Sequence, residues 1–314
     1  MKVLLTGANG YVGRAARLAL EGAGHQVIAA VRSLDRLPAH RRTGALAVGD
    51  VDAGTGWDAA LEGVEAVLHT VSPPLSEGDE ATRRAEARRV IVEGTGRLVE
   101  RARAAGVRRF VYVSSVKAMG EESGAAPLTE TDEPHPRDAY AEAKLAAERL
   151  VLADAPGPIV VRCPAVYGRA SGGNVRQMIE FLRRAPAVLP LGYGGNRRSF
   201  IHRDNLVSAL VRCVEAPDGV AGTFLVSDGE AVSTAELVRR VLRALERRAL
   251  VLPVPRAVLS ALVSARLGPE AARRLVQSYA VDDRAIRAAL GWAPPLDPER
   301  AMADAVAPGP DPCL

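Results

Sequence analysis

In the run YAEAK, Tyr140 and Lys144 stand four positions apart. On a helix, residues at i and i+4 share a face, so the phenol and the ammonium would meet. A free tyrosine has a pKa of about 10, and a neighbouring cation favours the phenolate and lowers it. Such a tyrosine gives a proton to a carbonyl as hydride arrives, or takes one from an alcohol as hydride leaves. Two features lift this pair above a chance Tyr-x-x-x-Lys. Lys2, Lys117 and Lys144 are the only lysines in a chain that uses arginine at nearly every other basic position. The apolar run FVYVSS ends in Ser114-Ser115, at the carboxyl end of a predicted strand, where open sheets bind ligands. A hydroxyl there would hold a substrate oxygen as charge develops on it.

Hydride needs a carrier, and the first residues supply a cradle for one. TGANGYVG, residues 6–13, follows a strand-like run and opens a helix, which is the context a dinucleotide fingerprint requires. Gly7 allows the tight turn, Gly10 lets the backbone approach a pyrophosphate, and Gly13 lets helix and sheet pack closely. The helix start then offers free N–H groups and a positive dipole end. Thr6, Gly7, Gly10, Tyr11, Val12 and Gly13 are therefore candidate cofactor contacts. The next strand ends in Val31-Arg32-Ser33. An acid at that place would accept from a ribose 2′-OH and repel a 2′-phosphate. An arginine with a hydroxyl beside it binds the phosphate instead. Arg32 and Ser33 thus favour NADP(H), with NAD(H) the alternative.

These groups need a scaffold. KVLLT, HQVIAAV, ALAVGD, EAVLHT, RFVYVSS and PIVVRC read as buried parallel strands, rich in Val, Ile and Leu and without in/out alternation. Helix-period stretches separate them at 11–23, about 56–62, about 79–105, 138–154 and 174–184. Alternation of this kind predicts an α/β fold, a doubly wound parallel sheet with right-handed crossovers. After about residue 165 the pattern loosens into short helices (203–216, 233–247, 255–267, 283–290). Brief strands accompany them near 198–202, 223–227, 250–252 and 278–281. The expected division is a dinucleotide-binding domain over 1–165 and a smaller α/β cap over 166–314, with about 198–230 returning to the first. A cleft between them is the default ligand site. The tail APGPDP is expected to fray.

Composition excludes other classes. With 48% hydrophobic and 25% charged residues, the chain is ordinary for a globular protein. The net charge of +4 reads as spread along the chain with no block of like charge, so no nucleic-acid partner is expected. Cys163 and Cys213 sit in apolar runs and Cys313 in the tail, which makes neither a disulfide framework nor a metal site. No metal is expected, and a reducing cytoplasm fits. The N-terminal apolar run is too short for a signal peptide. No run approaches the roughly 18 apolar residues of a membrane span, and no membrane partner is expected.

The glycine spacing, the length and the Ser, Tyr and Lys in this order resemble the extended branch of the short-chain dehydrogenase/reductase superfamily, the NAD(P)-dependent epimerase/dehydratase family. The likeness runs from Met1 to about Trp292. SSVKAMG matches that family's Ser-Ser-x-x-x-x-Gly, which implies Ser115 as the catalytic serine beside Tyr140 and Lys144, with Gly120 closing the motif. By the same resemblance Asp50 and Val51 hold the adenine edge. Thr70 and Val71 line the nicotinamide wall, and Pro164 and Val166 of RCPAVYG flank the carboxamide. SSVKAMGE with PLTETDEPHPRDAYAEAK resembles bacterial enzymes that reduce or epimerise UDP-linked N-acetylated 6-deoxy sugars. That implies substrate contacts from Ser114 and Lys117. NRRSFIHRDNL resembles the segment that places Arg198 on a nucleotide-sugar diphosphate, with Asn174 beside it and Arg273 and Arg274 as outer candidates. His202 reads as structural. The extended family pairs as homodimers through the helices at 79–105 and 138–154.

Two departures stand out. Ile91 occupies the place of a family asparagine, and Thr70-Val71-Ser72-Pro73-Pro74 replaces the usual small-residue wall. Val116, Lys117 and Ala118 follow Ser115 where dehydratases carry an acid pair, which disfavours dehydration. Arg32 favours a reductase that takes up NADPH each turnover over a 4-epimerase that holds one NAD. The expected substrate is a nucleotide-bound 4-keto-6-deoxy sugar. A sterol-like or polyketide ketone is the second candidate, and a non-catalytic NADP sensor the reading from another class.

Overall fold

The six apolar runs become six neighbouring strands of one sheet. The computed structural model describes residues 1–73 and 79–309; Pro74, Cys313 and the end of the proline-rich tail lie outside them. In chain order the first half holds β1 (Lys2–Thr6), α1 (Tyr11–Gly22), β2 (Gln26–Val31), β3 (Ala45–Ala47), α2 (Asp58–Leu61), β4 (Ala66–His69), α3 (Glu80–Ala87), α4 (Gly94–Ala104), β5 (Arg109–Ser115), α5 (Ala139–Asp154) and β6 (Pro158–Cys163). The second half holds β7 (Ala165–Tyr167), α6 (Gly173–Arg183), β8 (Val188–Gly192), β9 (Arg198–His202), α7 (Arg203–Val214), β10 (Gly222–Leu225), β11 (Ala231–Val232), α8 (Thr234–Ala244), β12 (Leu250–Pro253), α9 (Arg256–Leu267), α10 (Pro269–Val276), α11 (Arg284–Leu290) and α12 (Pro298–Val306).

Among the described residues the main sheet has seven strands in the order β10-β6-β5-β4-β1-β2-β3, all parallel. Successive residues of a strand face opposite sides. Val3 and Leu5 of β1 join one apolar layer with Leu20 of α1 and Leu206 and Leu210 of α7. Leu4 joins the other with Leu98 of α4, Phe110 of β5 and Val151 of α5. Both faces are covered, which is why the strands read as continuous apolar runs. Strand order reverses between β1 and β4, the switch point where such sheets bind ligands at their carboxyl ends.

The single helix expected over 79–105 is three pieces. Arg88–Glu93 forms a wide π turn between α3 and α4. Its extra residue per turn seats Ile91 fully in the core against the sheet, and such bulges often lie at functional sites. The strand expected at 278–281 is reduced to single bridges, Tyr279 with Arg198 and Val281 with Leu128. The elements β7, β8, β11, α10 and α12 are additional. After β7 the chain builds a smaller layer in which Leu182, Leu189, Val238, Val241 and Met302 share a third apolar cluster. It also crosses back, since α7 packs on α1 and β10 pairs with β6.

Candidate active site

The glycine turn is shaped by what a side chain would strike. Gly7 has φ +70, and a Cβ on it would lie 2.6 Å from Thr70 Oγ1. A Cβ on Gly13 would lie 2.1 Å from Gly7 O. Gly10 N–H donates to Gly7 O at 2.8 Å, and α1 begins at once with no side-chain cap. Its first N–H groups are left for a ligand, as an anion site at a helix start requires. This cradle of bare backbone fits a dinucleotide pyrophosphate. Val12 packs into the sheet layer, and Tyr11 lies under the Arg203 guanidinium, 5.2 Å from its ring centre. Thr6 differs from expectation. Its side chain is fully buried and its hydroxyl is 2.5 Å from His69 Nδ1, so it braces the strand ends. His69 Nε2 meets Thr95 of α4 at 3.0 Å, and burial pulls its pKa down to about 3, so the ring is neutral. Thr70 donates to Thr6 O at 2.8 Å.

At the end of β2, Arg32 Nε pairs with Asp50 Oδ1 at 2.5 Å, and both side chains are half exposed. Exposed pairs of this kind contribute about 0–1 kcal/mol, so a phosphate dianion can displace the carboxylate. Ser33 is turned to its own chain, its hydroxyl accepting from Asp35 N–H at 3.2 Å. Val51 meets the start of α4, where a Cβ on Gly94 would lie 2.7 Å away.

Ser115, Tyr140 and Lys144 lie where β5 ends against α5. Asp138 caps α5, accepting from Ala141 N–H at 2.7 Å, which sets the turn that carries Tyr140. Lys144 is buried, with Nζ 5.8 Å from the Tyr140 ring centre and 4.8 Å from that of Tyr112. It donates to Val113 O at 3.0 Å, and burial pulls its pKa down to about 8. The phenol of Tyr140 was expected below its ordinary value. Burial instead pushes it up to about 12, with Cys163 and Asp138 adding and a hydrogen bond from Ser72 opposing. Burial therefore holds Tyr140 as a proton donor. Ser115 accepts from Lys117 N–H at 3.2 Å and faces Cys163 in the register of β5 and β6. Cys163 donates to Ser114 O at 3.1 Å, and burial pushes its thiol up to about 11, so it is a neutral wall. Ser72 and Cys163 were not foreseen as neighbours of Tyr140; only the tertiary fold brings them there.

Ser114 is a correction. It points to the opposite side of β5 from Ser115, is buried, and donates to Glu148 Oε1 at 2.5 Å. Glu148 in turn holds Arg162 at 2.7 Å in a buried ion pair, so Ser114 belongs to that network and is closed to substrate. Lys117 sits 5.9 Å from the Tyr140 ring centre, and its Nζ pairs with Asp138 at 2.5 Å. Pro164 is buried and Val166 half-buried against the sheet layer. Arg198 lies 5.9 Å over the ring of Tyr279. Burial, with the nearby Arg274 adding and Tyr279 opposing, lowers its pKa to about 10. Arg274 reaches Asn174 Oδ1 at 3.4 Å, so Asn174, Arg198 and Arg274 converge. Arg273 turns instead to Glu121, 3.6 Å away. His202 is fully buried, caps α7 through Asp204 N–H at 3.2 Å, and meets Asp304 at 3.1 Å.

A sequence model described as the NAD dependent epimerase/dehydratase family matches residues 3–226. A UDP-glucose 4-epimerase from Vibrio cholerae is 31% identical over 303 residues, covering 93% of this chain and 90% of its own. A 3-diazoavenalumate denitrifying reductase from a Streptomyces species is 34% identical over 304 residues, covering 94% and 96%. The solved structure of MoeE5 in complex with UDP-glucose and NAD superposes with a TM-score of 0.75 at 26% identity, covering 98% of this chain and 97% of that one.

Proposed function

Because this chain belongs to the NAD dependent epimerase/dehydratase family, we propose that it is an NADP(H)-dependent reductase that converts a ketone to a secondary alcohol. The carrying observation is Arg32, which stands where an acid would select NAD and has only an exposed carboxylate to give up. The bound cofactor supplies hydride. Tyr140, held protonated by burial, gives its proton to the carbonyl oxygen as charge grows there. Ser115 presents a hydroxyl to the same oxygen, and Lys144 fixes the phenol's surroundings from the next turn of α5. The proposed substrate is the 4-keto group of a nucleotide-activated deoxy sugar. The convergence of Asn174, Arg198 and Arg274 supports it, since two guanidiniums that repel each other gain from a diphosphate between them. The likeness to MoeE5 with UDP-glucose supports it further.

A second reading, an NAD-dependent nucleotide-sugar 4-epimerase, is favoured by Asp50. Freed of Arg32, its carboxylate could accept from a ribose 2′-OH. Fluorescence titration with NADP+ and NAD+ separates the two. The reductase reading expects tighter NADP+ binding, and Arg32→Glu is expected to weaken it about 10–100-fold while leaving NAD+ little changed. Equal affinities in the native chain, or an Arg32→Glu variant that keeps its preference, would remove the cofactor assignment. Two copies are proposed to pair through the outward faces of α4 and α5; a one-copy mass in light scattering would remove that part alone.

A further inference from the structure

A helix on the surface of a water-soluble protein turns its polar side outward. The helix α9 does not. Its inner residues Leu259 and Val263 pack against Ala272 and Val276 of α10. Its outer residues Ala257, Val258, Ala261, Leu262 and Ala265 are all exposed, and they follow one another along a single side. Val258 and Leu262 are 45% and 47% exposed, and Leu267 at the end is 72% exposed. The exposed stripe carries no charge; Ser260 and Ser264 lie on one flank of it, and Arg256 and Arg266 stand outside it near the two ends of the helix. The strand that leads into α9 continues the pattern. On β12, Leu250 and Leu252 are exposed on the side away from the core, and Val188 of β8, the register partner of Leu250, is exposed with them.

The charge around this surface is one-sided. Leu250 shares an open groove of about 570 Å³ with Arg239, Arg243, Arg247 and Arg248. Residues 233–276 contain nine arginines and three glutamates, a balance of +6 where the whole chain carries +4. The positive charge is thus concentrated here, against the even spread expected from the sequence. Some of it is compensated, as in Arg240 with Glu230 and Arg243 with Glu299. Among the described residues Arg239, Arg248, Arg256 and Arg266 have no carboxylate partner.

We propose that the exposed side of α9, with the exposed apolar residues of β12 and the arginine-lined groove at Leu250, forms a peripheral docking surface for an anionic lipid bilayer. The aliphatic stripe would enter the boundary between headgroups and acyl chains, and the arginines would lie on lipid phosphates. A second copy of this chain fits poorly, because it would set the same arginines against each other. An acidic protein would find the charge, but the stripe offers it no side-chain donor, acceptor or pocket. The contact is a surface one: among the described residues no helix is long and apolar enough to cross a membrane.

The test is flotation of the full chain with vesicles of phosphatidylcholine alone and of equal parts phosphatidylcholine and phosphatidylglycerol. The protein is expected to float with the mixed vesicles only, and to be released by high salt. Leu262→Asp should abolish flotation while circular dichroism and ketone turnover stay unchanged. Arg256→Glu with Arg266→Glu should weaken partitioning by roughly 30-fold or more, which keeps the test decisive should Leu262→Asp misfold. No flotation with the mixed vesicles, or flotation that neither variant alters, would overturn the proposal. So would a vesicle-free oligomer that Leu262→Asp takes apart, or tight binding to polyglutamate in place of vesicles.

Discussion

Tyr140 and Lys144 were legible as a pair from their spacing, and the fold brings the ammonium within 5.8 Å of the phenol ring. Their proton affinities were not legible, because burial is a property of the tertiary surround. Both side chains are pushed toward their neutral forms, phenol up to about 12 and ammonium down to about 8. Lys144 therefore carries a stability cost with a definite sign. The folded chain releases this proton near 8 and the unfolded chain near 10.5. Below the lower value both states hold it and the full cost of burying charge is present; between the two values the cost fades as pH rises. Lys144→Met is expected to stabilise the fold by about 2–3 kcal/mol near neutral pH. The gain should shrink toward pH 10 in paired thermal melts, and the variant should lose turnover, a trade common at strained sites. An equal gain at both pH values would mean that Lys144 is not buried as a cation. Ser114 shows the reverse case. Its type and position suited a substrate contact, and only strand alternation, which puts it beside Glu148 and Arg162, removes it.

At the scale of elements, the glycine turn was the most legible part of the chain, since each glycine answers a contact the backbone makes. Gly13→Ala tests that directly. Its Cβ would lie 2.1 Å from Gly7 O, so α1 must retreat from the turn. Overpacking of this kind costs about 1–3 kcal/mol. The melting temperature is expected to fall and dinucleotide affinity to drop at least tenfold; a variant that binds as tightly as the native chain would show that the close approach of α1 is dispensable. The π turn at 88–93 was not legible as such. Helical periodicity passes through it nearly unbroken, and only Ile91, where the family has asparagine, marked the place. The short strands β7, β8 and β11 are two to five residues long, and pairing with distant segments, not local pattern, makes them strands. The helix α12 carried a readable start, since Asp297 caps it ahead of Pro298, and the proline-rich surroundings hid it.

At the scale of the whole molecule, a doubly wound sheet was dictated by six apolar runs with helical stretches between them, and seven parallel strands result. In the second half, α7 and β10, both within the stretch of about 198–230 that the loosened pattern marked as returning, pack on the main sheet, while α8 and β12 lie in the third apolar cluster. The excess of nine arginines over three glutamates in 233–276 was countable in the sequence, but their grouping with Leu250 in one groove was not. The architecture puts the glycine turn, Arg32 and Ser115 at the carboxyl ends of β1, β2 and β5, with Tyr140 in the first turn of α5, and the converging arginines come from the cap. In the proposed reading the sheet would hold the cofactor and the cap the substrate anion, and Arg32 is what favours a reductase over an epimerase. The most direct test follows nicotinamide absorbance with the purified chain, a UDP-4-keto-6-deoxy-hexosamine, and NADPH or NADH in parallel. The account predicts stoichiometric loss of NADPH, much faster than of NADH, and about 10²–10⁴-fold slower in Tyr140→Phe with cofactor binding kept. No net loss of either cofactor, with NAD retained by the protein as purified, would contradict it and identify an epimerase instead.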